Sequence, residues 1–168
     1  FKLLQEIICI EIEEIENKKN IFSKKKWKKN FNKDEGGGEF RILKNGKIFE
    51  KVGVNFSEVY GRFSKNLRDK IPGTSNSSKY WASGISVVMH MQNPHIPAMH
   101  FNTRYIFTDH GWFGGGIDIT PCTKDKKMEN WFHKQLKKTC DKHNKKYYKN
   151  FKKYCDKYFY LPHRKEPR

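Results

Sequence analysis

Between residues 40 and 120 strand-like runs follow one another, joined by turn signals, with no alternation of strand and long helix. Parallel strands need crossover connections of a dozen or more residues, usually helical, so this grouping points to antiparallel pairing. FRILKNGKIFEKV (40–52) sets Asn45-Gly46 between two such runs. That dipeptide is the strongest short hairpin signal and predicts a type I′ turn. WASGISVVMH (81–90) and AMHFNTRYIF (98–107) are joined by MQNPHIP, whose two prolines enforce a turn. WFGGGIDIT (112–120) reads as a further strand, and PGTSNSSK (72–79) as a loop. Helical spacing is confined to the ends. Leu4, Ile8, Ile12 and Ile15 recur within 3–16. Met128, Trp131/Phe132, Gln135/Leu136 and Cys140 share one face, and Tyr147, Phe151, Tyr154/Cys155 and Tyr158 share another before Pro162 stops the helix. The basic stretch 17–33 reads as a linker or surface segment, and DEGGGEF (34–40) as a flexible loop. The expected fold is therefore α+β, an antiparallel sheet flanked by helices, with residues 1–168 as one domain.

Charge sets the next constraint. Thirty-five Lys and Arg stand against 18 Asp and Glu, a net charge of +17. A basic nucleic-acid-binding module fits that sum. Only six of the 35 are arginine, at 41, 62, 68, 104, 164 and 168. Arginine is the residue for forked recognition of phosphates and base edges, whereas lysine is a hydrated point charge. A Lys-rich solvated surface with a general attraction for small anions therefore fits better, and no nucleic-acid partner is expected. No apolar run is long enough to span a bilayer. No signal peptide is visible, and the chain lacks an initiator Met, which leaves room for a leader already removed. Cys9, Cys122, Cys140 and Cys155 form no CxxC pair and match no zinc spacing. Reduced thiols in a cytosol-like compartment are expected.

Side chains on a strand alternate faces. Over 98–107 this puts Met99, Phe101, Thr103, Tyr105 and Phe107 on one face and His100, Asn102, Arg104 and Ile106 on the other. The first face is bulky and apolar and packs a core. The second, with His, Asn and Arg, is expensive to bury and suits either a lined cavity or a solvent-exposed sheet face. The preceding strand offers Ser86, Val88 and His90 on one face. A hairpin about NPHIP would set Ser86 near Arg104 and His90 near His100. The triple glycine of WFGGGIDIT (112–120) matches no phosphate loop: no Gly-Lys-Ser/Thr follows, and no GxGxxG opens a helix. In a strand, glycine allows close approach of a ligand to the backbone or marks a bulge. Asp118 then either meets the donors of a flat ligand or is an exposed carboxylate. His90, His100, His133 and His163 could supply metal ligands, but their spacing is not that of a known metal helix or finger. No Ser/His/Asp order and no G-x-S-x-G elbow is present.

Four long segments carry a resemblance. EGGGEFRILKNGKIFEKVGVNFSEVYG (35–61), GISVVMHMQNPHIPAMHFNTRY (84–105), WFGGGIDITP (112–121) and YKNFKKYCDKYFYLPHRKEPR (148–168) occur in the order and form of the oxygen-dependent coproporphyrinogen oxidase family, which the chain resembles over nearly its whole length. The resemblance implies oxidative decarboxylation of two propionates of coproporphyrinogen III to vinyl groups, giving protoporphyrinogen IX in haem biosynthesis. O2 is the oxidant, CO2 and peroxide leave, and no flavin or haem is required. It implies substrate contacts at Ser86, Asn102, Thr103 and Arg104, an acid/base role for His100, and a pyrrole N–H acceptor at Asp118. No metal is expected to be essential. Some relatives bind a divalent ion at positions that fall here on His90, His100, His133 and His163.

The chain departs from the family pattern at Ala98, Met91 and Cys122. It also stops at Arg168, where the family continues into a Gly-Gly-Phe-Phe-Asp-Asp stretch, further substrate contacts and a dimer interface. The resemblance thus implies the N-terminal part of a longer catalytic domain, inactive by itself. The complete enzyme is expected to be a homodimer, without a transmembrane segment, in the cytoplasm, or in the mitochondrion if a leader was removed. A remnant that binds porphyrin without turnover stands beside these alternatives.

Overall fold

The structure, a computed structural model, describes residues 1–68, 71, 73–74, 77–123 and 125–163. Three residues of the PGTSNSSK loop and residues 164–168 of the closing segment lie outside the described residues, as do Arg164 and Arg168. The elements run α1 (Lys2–Ile15), β1 (Ser23–Lys28), β2 (Gly36–Lys44), β3 (Phe49–Arg62), α2 (Lys65–Arg68), β4 (Lys79–Met91), β5 (Ala98–Phe107), β6 (Gly111–Thr120), α3 (Lys126–Asp141) and α4 (Tyr147–Tyr158). The strands form one six-stranded sheet in sequence order, β1-β2-β3-β4-β5-β6, and the pairs from β1 to β5 are antiparallel. This is the α+β architecture that the grouping of strand-like runs predicts. The chain divides into two compact units, one of Phe1–Asn93 with Ala98–Ile117, the other of Pro94–Pro97 with Asp118–Arg168.

In the first unit, α1 covers one face of the sheet. Cys9 and Ile12 pack with Phe22, Leu43, Phe49, Val52, Val54, Ile85 and Val87. Each such side chain, fully buried, contributes about 1.5–3 kcal/mol. The buried side of α1 is Gln5, Cys9, Ile12 and Glu16, with Leu4 and Ile8 half-buried beside it, while Ile15 is 48% exposed. The apolar stripe thus sits slightly off the buried face, because two polar residues take inward positions by bonding backbone. Gln5 Nε2 donates to the carbonyls of Glu39 and Val54 at 2.9 and 3.0 Å, tying α1 to β2 and β3. Arg41, also buried, pairs with Glu39 and with Glu6 of α1.

Two stretches that read as linker and loop are strands. Ser23–Lys28 pairs with β2 as the edge of the sheet, and all three glycines of DEGGGEF lie within β2, Gly37 and Gly38 paired on both sides and Gly36 with β3. The lysine run hid the alternation of β1, and lysines suit an edge strand because they discourage pairing with another chain. Glycine reads as a loop signal, yet two neighbouring strands satisfy its backbone here.

The hairpin at Asn45-Gly46 forms, but not with a type I′ turn. Asn45 is left-handed at φ 56° and Gly46 is not. Gly46 N–H instead donates to the Phe49 carbonyl at 2.9 Å, so the turn runs from 46 to 49. Glu16, at the end of α1, decides this. Its carboxylate accepts from the N–H groups of Lys47, Ile48 and Phe49 at 2.7, 2.9 and 2.8 Å. A Cβ at Gly46 would lie 2.5 Å from Glu16 Oε1, so this close approach requires glycine. Burial pushes the Glu16 carboxyl up, but the three N–H donors, with Lys47 nearby, hold it below the usual 4.5. Glu16 therefore contributes stability that is present above about pH 4.5 and lost as pH falls through its lower folded value. Glu16→Gln is expected to cost about 2 kcal/mol at pH 7 and to flatten this part of the acid limb. Urea melts at pH 7 and at pH values below 4 check both, and an unchanged acid limb would contradict the assignment.

In the second unit, Asp125 caps α3 by accepting from the N–H groups of Lys127 and Met128. The aromatic face of α4 is as its spacing predicts. Tyr147 stacks on Phe151 and Tyr154 on Tyr158, and all four are exposed. All four cysteines are free thiols. Burial pushes Cys9 up to about 11. Burial, then the Asp156 and Asp118 carboxylates, raises Cys155.

Candidate active site on the open sheet face

The face of the sheet turned away from α1 carries the polar side chains. Along β3 the buried Val52, Val54 and Phe56 alternate with Gly53, Asn55 and Ser57, which face the other way. Pairing extends that face to β4 and β5. Asn55 lies opposite Ser86, Gly53 opposite Val88, Ser57 opposite Gly84 and Lys51 opposite His90. Ser86 lies opposite Asn102, Val88 opposite His100, and Gly84 opposite Arg104. Ser86, Asn102, Arg104, His90 and His100 thus share one face, in the first unit.

The β4–β5 register differs from the expected one by two residues. Ser86 faces Asn102 rather than Arg104. A shift of two residues keeps every side chain on its face, so the set of residues survives while its pairs change. The His90 and His100 rings lie 6.4 Å apart between centroids, at 85° to one another. Ser86, His90 and Arg104 are exposed, and His100 and Asn102 half-buried. Thr103 pairs with Ile85 and stands on the core side of β5, away from the other four substrate-contact and acid/base candidates of this unit.

Glycines shape the surface in two ways. Gly115 is where β6 comes close to β5: a Cβ there would lie 2.4 Å from the Asn102 carbonyl oxygen. Gly53 and Gly114 leave space instead. A Cβ at Gly53 would meet nothing within 4 Å, and one at Gly114 would find only Arg104 Cγ, at 4.0 Å. The sheet is bare at these points, as close approach of a flat ligand requires.

Asp118 belongs to the second unit. It is 8% exposed, not the surface carboxylate that was the alternative, and Thr120 Oγ1 donates to its Oδ2 at 3.4 Å. The four histidines considered for a cation divide between the units. His90 and His100 lie in the first, His133 and His163 in the second. The His133 ring has Phe132 and Tyr148 as neighbours, and its Nδ1 is buried without a hydrogen-bond partner among the described residues. His163 is exposed. Among the described residues no group of three or more His, Cys, Asp or Glu side chains could hold a metal ion. The His90–His100 pair alone offers at most two ligands, fewer than divalent ions ordinarily take from a dedicated site. These residues do not fit a metal centre within either unit.

Asn55 and Trp27 were not among the sequence candidates. Trp27 Nε1 donates to Asn55 Oδ1 at 3.1 Å. The alternation of Val52, Val54 and Phe56 with Gly53, Asn55 and Ser57 was a readable signal for Asn55. Trp27 had none, because its strand was hidden in a lysine run.

A family model described as coproporphyrinogen III oxidase matches residues 1–168. The oxygen-dependent coproporphyrinogen-III oxidase of Rickettsia bellii (strain RML369-C) is 48% identical over 172 residues, covering 100% of this chain and 62% of the relative. The proteins of the same description from Rickettsia africae (strain ESF-5) and Rickettsia akari (strain Hartford) are each 47% identical, with the same coverage. The chain thus spans 62% of the length of these curated relatives.

Proposed function

Because the chain belongs to the coproporphyrinogen III oxidase family, we propose that it forms part of an enzyme that converts two propionates of coproporphyrinogen III to vinyl groups, giving protoporphyrinogen IX, with O2 as oxidant. One observation carries this beyond family membership. The open face gathers Ser86, Asn102, Arg104 and two imidazoles beside the bare backbone at Gly53 and Gly114. That combination suits a flat, multiply anionic ligand. Arg104 can fork a carboxylate, and Ser86 and Asn102 can donate to one.

The chemistry asks little of the protein beyond positioning and proton handling. The bond pair joining the propionate carbon to its carboxylate becomes the vinyl π bond as CO2 leaves. The neighbouring carbon gives up a hydride to O2, which departs as hydrogen peroxide after taking one further proton. His100, half-buried beside His90, would supply that proton as a general acid. Asp118 would accept from the pyrrole N–H groups and stabilise positive charge as the ring is oxidised. Thr103 acts through the core side of β5 and positions Asn102 and Arg104 rather than touching substrate.

No helix among the described residues is long and apolar enough to cross a membrane. A cytoplasmic homodimer, as expected from the resemblance, completes the proposal. The test is aerobic turnover of coproporphyrinogen III by the full-length protein, read as protoporphyrin fluorescence after oxidation, with stoichiometric O2 uptake. Absence of turnover in a folded full-length protein would refute the proposal. The 168 residues alone are expected to give none, since the relatives are longer. Monodisperse, active material from these residues alone would overturn the view that the site needs more chain.

A further inference from the structure

The polar row on the open face does not end at β4. Asn55 of β3 is the Cα partner of Ser86, which is the partner of Asn102. Adjacent strands lie about 4.8 Å apart, so the three side chains form a row roughly 10 Å long. Asn55 is gripped from the far side. Trp27, on the edge strand β1 opposite Gly38, reaches past β2 and donates its indole N–H to Asn55 Oδ1 at 3.1 Å. An indole nitrogen only donates, so the atom that faces it is the amide oxygen, and both N–H groups of Nδ2 remain. Among the described residues, Nδ2 donates to no other group. Two residues earlier on the same face, Gly53 leaves open space.

We propose that Asn55, clamped by Trp27, is a carboxylate-binding residue of this site, its Nδ2 donating to a propionate of a substrate that lies on the open face. This rests on the function proposed above and adds to it a contact on β3 and a positioning residue on β1. The clamp matters because a free amide rotates and presents oxygen or nitrogen alike. Trp27 fixes the donor end toward the ligand before it binds, which removes part of the ordering cost. Asn55 also suits its place chemically. It recognises an anion without adding a second cation on the face that carries Arg104, so the grip can be strong at one end and neutral at the other.

The test uses the full-length protein and two probes, coproporphyrin III and its tetramethyl ester, with binding read by fluorescence. Asn55→Asp keeps the shape and the bond from Trp27 but turns the two donors into a charged acceptor facing a carboxylate. It is expected to weaken coproporphyrin III at least about 30-fold, and the ester less than about threefold, since the repulsion requires an ionised ligand. KM for coproporphyrinogen should rise more than kcat falls. Trp27→Phe keeps an aromatic ring but frees the amide, and should weaken the acid about three- to tenfold while sparing the ester. Trp27 lies on an edge strand, so this variant decides the matter if Asn55→Asp does not fold. Wild-type affinity for the acid in both variants would overturn the proposal. So would equal losses for acid and ester, which would mark a purely structural pair. If the folded wild-type protein neither binds nor turns over the substrate, the failure lies with the proposed function itself.

Discussion

Asp118→Asn is expected to lower kcat by about 100-fold or more, while the melting temperature shifts by only a few degrees. The substitution preserves shape and removes charge, and in the proposed role it replaces one acceptor atom with a donor that would face the substrate's own pyrrole N–H donors. A preorganised group that meets charge developing in the transition state is typically worth about 2.7–4 kcal/mol, which sets the size of the loss. Stability responds differently. Asp118 is 8% exposed and accepts from Thr120, and an amide oxygen can keep that bond while burial favours a neutral group, so asparagine costs little or helps. Steady-state turnover beside a thermal melt checks both. Unchanged turnover would remove Asp118 from the reaction. A collapse of the melting temperature would assign it to folding instead.

Arg104→Lys should reduce kcat/KM by about 10- to 100-fold, or about 1.4–3 kcal/mol. The charge is kept and the fork is lost, so the proposed two-point grip on a carboxylate would become one-point. Arg104 is exposed and lies opposite Gly84, which leaves lysine room to fit without strain. Little change in the melting temperature is therefore expected. Wild-type kinetics in this variant would show that the guanidinium does not hold substrate.

The site residues were legible to different degrees for different reasons. Period-two alternation put Ser86, His90, His100, Asn102 and Arg104 on shared strand faces, and they lie there. Alternation also put Thr103 with the apolar residues, while the family resemblance grouped it with the substrate contacts. It pairs with the buried Ile85, so local geometry was the better guide to its side of the sheet. The cross-strand partners were not legible, because a register is fixed by the size of the connecting turn as well as by the pattern of faces. Asn55 was readable in principle from its neighbours Val54 and Phe56. Trp27 was not, because a run of lysines gives no alternation.

What the sequence by itself determined was everything that depends on near neighbours along the chain. That includes the antiparallel pairing of the strands from residue 40 onward, the faces of the residues on β4 and β5, the helices at both ends, and the resemblance to a family. What only the tertiary structure decided depends on contacts between distant segments. Asn45-Gly46 has the local preference for a type I′ turn, yet the carboxylate of Glu16, some 30 residues earlier in the chain, takes three N–H groups of the next residues and imposes another. The indole of Trp27 selects the orientation of Asn55 from 28 residues away, across an intervening strand. Local propensities in turns and side-chain rotamers amount to about 1 kcal/mol, and a charged group bonded to several buried N–H donors outweighs them. Such a contact becomes visible only when the chain has brought its two sides together.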